Sequence, residues 1–105
     1  MNKRSVALLA LILILSFAQI VHPMQQSVPR LIADNRTPYV VDVYAWNGTA
    51  WGFVSRLGPT SWITFPNAAN GSYWRAVFGQ AHRDHRVNYK YDPGYRGYQD
   101  VWLIQ

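Results

Sequence analysis

The densest run of residues able to do acid, base or metal chemistry is His82-Arg83-Asp84-His85-Arg86. Two imidazoles flanking a carboxylate could ligate a divalent ion, or make a general base oriented by an acid. A third protein ligand is not evident, because His22 lies in a Pro-containing stretch far upstream. The polar character of Gly79 to His85 is that of a solvated connection between two strands, and connections run over the surface. A metal-dependent or hydrolytic centre at His82, Asp84 and His85 is therefore the alternative reading, not the leading one. Other catalytic routes lack their parts. The chain has no cysteine and no glutamate, no Gly-x-Ser-x-Gly elbow, and no Gly-rich loop opening a helix. No cofactor is expected.

The second constellation is aromatic. Tyr44, Trp46 and Trp51 flank Asn47-Gly48, with Asp42 upstream and Arg56 downstream. If Asn47 and Gly48 are the two loop residues of a type I′ hairpin, residues whose numbers sum to 95 face each other. One face then carries Val41, Val43, Ala45, Ala50, Gly52 and Val54, small and apolar, as expected of a side packed on a core. The other carries Asp42, Tyr44, Trp46, Thr49, Trp51 and Phe53. An unpaired buried carboxylate is costly, so this face is expected to meet water and to display Tyr44, Trp46 and Trp51, with Asp42 as a polar contact. The pairing puts Arg56 on the opposite face. If the rings are instead core, Asp42 lies at the rim; the exposure of Tyr44, Trp46 and Trp51 separates the two readings. Trp62, Trp74 and Trp102 read as core.

These residues need a β scaffold. Beyond Asn35 nearly every segment alternates with period two: "YVVDVYAW", "TAWGFVSRL", "TSWITF", "YWRAVF", "RVNYKY" and "DVWLI", separated by Asn, Gly and Pro. Regular short strands with turn signals indicate an all-β chain, a small antiparallel β-sandwich of six to eight strands. Asn35, Asn47 and Asn70 each begin an Asn-x-Ser/Thr triplet, and turn chemistry accounts for them; both Asn-Gly pairs are expected in hairpin turns.

The chain has 105 residues, half of them hydrophobic and 14% charged, which suits one domain. Lys3 and Arg4 precede an apolar run from Val6 to Ala18, with small residues at Ser16 and Ala18. That is the layout of a signal peptide over residues 1–18, or of a signal anchor if it is retained. Residues 19–34, with two prolines, read as a linker or tether, followed at most by one short edge strand before Asn35, and 35–105 as the β domain. Removal of Lys3 and Arg4 lowers the formal net charge from +5 by two, to +3. The remaining basic residues are scattered, so nucleic acid is not expected as a partner despite tyrosines interleaved with Lys90 and Arg96. A membrane enters only if the leader stays as an anchor. Secretion or a periplasmic location follows.

From Asn35 to Val87 the chain resembles the β-domain of the von Hippel-Lindau tumour suppressor type. Asn35-Arg36-Thr37 is similar to that family's Asn-Arg-Ser lead, Leu57-Gly58-Pro59 to its Leu-Pro-Pro-Gly turn, and Gly71 with Trp74 to its Gly-x-x-Trp. The resemblance implies a seven- or eight-stranded sandwich serving as a binding scaffold. Hydroxyproline recognition does not carry over, since Val54 and Ser72 stand where that family has a tyrosine and a histidine, and only Trp74 corresponds. The expectation is an exported, non-enzymatic binding or interaction module whose partner is a glycan or an envelope protein. A structural part of an envelope assembly, joined through a strand edge, is a further alternative.

Overall fold

The computed structural model describes residues 27–105; the expected leader lies outside the described residues. They form eight strands and no helix: β1 (Ser27–Asn35), β2 (Val41–Trp46), β3 (Trp51–Leu57), β4 (Trp62–Pro66), β5 (Tyr73–Phe78), β6 (Ala81–Arg86), β7 (Lys90–Asp92) and β8 (Gly97–Ile104). Two four-stranded sheets result, one ordered β4-β1-β8-β7 and the other β3-β2-β5-β6. No helix among the described residues is long and apolar enough to cross a membrane.

Period-two alternation explains how the sheets meet. Leu31, Ala33, Trp102 and Ile104 from the first sheet share one core with Val41, Val43, Trp74 and Ala76 from the second, closed by Leu57 and Val87. The rings of Phe65 and Trp74 cross between the sheets with centroids 4.8 Å apart. Trp74 and Trp102 are buried as expected, whereas Trp62 is 65% exposed. Ile63 and Phe65 take the inward positions of β4, so the same alternation turns Trp62 outward.

The N-terminal boundary also differs from expectation. Residues 27–34 are not tether: β1 starts at Ser27 and lies inside its sheet, antiparallel to β4 and parallel to β8. Pro29 is tolerated because it falls at the irregularity between Ser27 and Arg30, where the β1–β8 register shifts. Strand pairing is thus not antiparallel throughout. At Gly97 a Cβ would stand 2.8 Å from the Ser27 carbonyl oxygen, so only glycine lets β8 approach the start of β1.

Asn35 is fully buried and works as a turn organiser. Its Nδ2 donates to the carbonyls of Tyr39 (2.8 Å) and Gly58 (2.9 Å), and its Oδ1 accepts from the Thr37 amide (3.0 Å) and hydroxyl (2.7 Å). The Asn70-Gly71 pair does not cap a hairpin. It lies in the crossover from β4 in one sheet to β5 in the other, held by Gly71 N donating to Val87 O (2.7 Å) and Tyr89 N to Asn70 Oδ1 (3.1 Å). The run read as one strand, Arg86 to Tyr91, is divided: Arg86 ends β6, and only Lys90 and Tyr91 enter β7.

Candidate functional site

The β2–β3 hairpin departs from the expected register in two places that together create the outer face. Asn47 keeps a negative φ and Gly48 alone of the pair is positive, at 101°. Asn47 Oδ1 accepts from the Thr49 amide and hydroxyl and from the Ala50 amide, each at 2.9 Å, so the side chain organises the turn. Asn47 N donates to Ala50 O at 3.1 Å, which moves the loop one residue along, to Gly48-Thr49. Trp46 then faces Trp51, Ala45 faces Gly52 and Tyr44 faces Phe53. A shift of two in the pairing sum leaves every side chain on its expected side. The second departure does not: a bulge between Val43 and Tyr44, opposite Val54, brings Ser55, Arg56 and Leu57 against Val43, Asp42 and Val41. Arg56 therefore shares the face of Asp42, contrary to the simple pairing. Its Nε donates to Asp42 Oδ1 at 2.8 Å, and Val54 is left 41% exposed at the bulge.

The inner side of β2 is the small apolar one, with Val41 and Val43 fully buried. The outer side is wet. Trp46 is 40% and Phe53 59% exposed, with Tyr44, Trp51 and Asp42 half-buried beside them. The rings are braced in cross-strand pairs: Trp46 and Trp51 at 5.3 Å and 60°, Tyr44 and Phe53 at 5.8 Å and 76°.

The face continues over β5 and β6. Arg75 stands opposite Tyr44, Asp84 opposite Arg75, Val77 opposite Asp42 and His82 opposite Val77, so Phe53, Tyr44, Arg75 and Asp84 form one row across four strands. The Arg75 guanidinium donates to both Asp84 oxygens, at 2.6 and 2.9 Å, and its Cζ lies 4.4 Å from the Trp51 ring centroid. These bonds hold the Asp84 carboxyl below its ordinary range and raise Arg75 further above its own. Tyr73, half exposed, pairs with Arg86 at the neighbouring position. Tyr73, Arg75 and Asp84, with Arg56, complete a surface whose β2–β3 part, Asp42, Tyr44, Trp46, Trp51 and Phe53, follows from the hairpin pairing. A signal for the β5–β6 part was present: Gly79-Gln80 is a two-residue Gly-x hairpin turn, and counting outward from it places Arg75 opposite Asp84.

The histidine cluster is not a loop. Residues 81–86 are β6, and alternation splits the set: His82 and Asp84 lie on the outer face, while His85 turns inward opposite Trp74. There its ring stacks on Trp102 at 5.3 Å and 9°, and Nε2 lies 2.7 Å from Asp100 Oδ2, joining β6 to β8 across the two sheets. The three side chains do not converge. Among the described residues no group of three His, Cys, Asp or Glu is placed to hold a metal ion. Compared with protein-family models, curated proteins and solved structures, the chain matches none.

Proposed function

We propose that the protein is an exported, non-enzymatic binding module that takes its ligand, a glycan or an envelope protein, on the outer face of the β3-β2-β5-β6 sheet. Export is carried by the leader pattern of residues 1–18 and places the module outside the cell or in the periplasm. One observation carries the site: Trp46, Phe53 and Tyr73 stand 40 to 59% exposed on a single braced face. Large rings held at partial exposure are available to a partner without prior rearrangement, which reduces the ordering cost of binding. Asp42 with Arg56 and Arg75 with Asp84 supply directional polar contacts between them.

Co-sedimentation of the full chain with isolated envelope fragments tests this. Wild type and Trp62→Ala, altered on the other sheet, are expected to pellet with the fragments. Trp46→Ala is expected to stay in the supernatant while keeping the wild-type unfolding midpoint. Equal pelleting of all three would overturn the assignment of this face.

A further inference from the structure

We infer that the ligand of this face is an uncharged saccharide chain, its rings seated on the Trp46, Trp51, Tyr44 and Phe53 cluster and its hydroxyls bonded to the Asp42–Arg56 and Arg75–Asp84 pairs. The inference rests on the reading of this face as the binding surface and narrows the ligand class. It draws first on the contrast between the two outer faces. Among the described residues, the β4-β1-β8 side exposes Val101 and Leu103 at 47 and 46% beside Ile32, with a single large ring, Trp62, and a single ion pair, Asp34–Arg36. The β3-β2-β5-β6 side carries aromatics and two ion pairs, with Val77 as an aliphatic member. Protein interfaces use the same Tyr, Trp and Arg but are depleted of Asp at their core, whereas this face keeps Asp42 and Asp84 among its rings. Flat rings beside bidentate polar groups suit a pyranose, which offers a C–H face and a rim of hydroxyls.

Charge decides between sugars. Each carboxylate of the face has its own guanidinium within 2.8 Å. An anionic ligand would meet Asp42 and Asp84 as it reached the arginines, and a cationic one would meet Arg56 and Arg75. Only at the β6 rim do His82 and Arg86 stand outside these pairs, and Arg86 lies over Tyr73 and bonds Gly71 O. A neutral hydroxyl breaks neither pair, because a carboxylate offers about four acceptor positions and a guanidinium five N–H groups. The two ring pairs lie two residues apart along the strands, about 7 Å, a separation over which consecutive sugar units can bridge both.

Titration of the full chain with uncharged hexasaccharides (cellohexaose and laminarihexaose) and with hexagalacturonate, followed by tryptophan emission and calorimetry at low and high NaCl, tests the inference. Saturable binding of an uncharged hexamer is expected, with less than about twofold change in Kd on adding salt. At least about tenfold weakening is expected in Trp46→Ala, one hot-spot ring being worth that much, and no change in Trp62→Ala. Phe53→Ala, on the exposed edge strand, replaces Trp46→Ala if the latter unfolds. Binding of hexagalacturonate alone through the same rings, suppressed by salt, overturns neutrality and leaves the face standing. No response to any hexamer, with co-sedimentation still dependent on Trp46, overturns the saccharide and points to a protein partner on the same face. Uncharged-hexamer binding lost in Trp62→Ala but not in Trp46→Ala overturns both readings.

Discussion

Arg75 is the residue on which the outer face turns. It touches both an aromatic of β3 and a carboxylate of β6, so it couples the two edges of its sheet. The Arg75–Asp84 pair also sets a pH dependence whose sign is fixed. Hydrogen bonding from Arg75 lowers the Asp84 pKa in the folded chain relative to the unfolded one. Its contribution to stability is therefore fully present above the ordinary carboxylate pKa, near 4, and is lost as pH falls through the lowered folded value. With the Asp84 side chain 45% exposed, solvent screening holds that contribution to under about 1 kcal/mol. Asp84→Asn is expected to leave a shallower acid limb in a plot of urea midpoint against pH, the curves of variant and wild type converging once pH falls below the lowered folded value. Parallel curves would show that the pair adds nothing.

At the scale of elements, what the sequence made legible was whatever alternation alone determines. β2, β3, β5 and β8 were readable because inward and outward residues differ in kind, as with Val41 and Val43 against Asp42 and Tyr44. The length of β1 and its place inside the sheet were hidden, where at most a short edge strand was expected, because Pro29 imitates a linker and nothing local shows that a proline will fall at a register irregularity. β6 was hidden because an edge strand with a solvated rim carries the same charges as a loop. The bulge near Val54 was invisible for a different reason: it depends on which partner residue meets the strand, and its effect, uniting Arg56 with Asp42, reverses a face assignment. The hairpin pairing already puts Asp42, Tyr44, Trp46, Trp51 and Phe53 on the outer face, whereas joining Tyr73, Arg75 and Asp84 to them requires the strand order. The β1–β8 contact supplies the test at this scale. Gly97→Ala forces a methyl group against the Ser27 carbonyl, 2.8 Å away. A loss of about 1 to 3 kcal/mol is expected in chemical denaturation, against no loss if the start of β1 simply moves aside.

For the whole molecule, the described residues contain no disulfide, and stability rests on one core shared by two sheets. Leu31 and Ala33, both fully buried, enter that core from β1, and β1 also supplies the pairing surface of β4 and β8. A chain shortened to begin at Arg36 would lose those residues, expose two strand edges and remove the Asn35 oxygen that accepts from the Thr37 amide and hydroxyl. It is expected to show no cooperative thermal transition, whereas a chain beginning at Gln19 is expected to unfold in a single step. A cooperative transition in the shorter chain would place β1 outside the folding unit.

The parallel alignment of β1 and β8 has a mechanical side. From Arg30↔Gln99 to Asn35↔Ile104 the two strands run the same way, side by side. Tension applied to the entry of β1 and the exit of β8 pulls along the strand axis in opposite senses. All the hydrogen bonds between them then carry the load together in shear, instead of opening one after another like a zipper. A module held at its N-terminal side while its C-terminal side is dragged would resist extension up to a force that breaks the whole ladder at once.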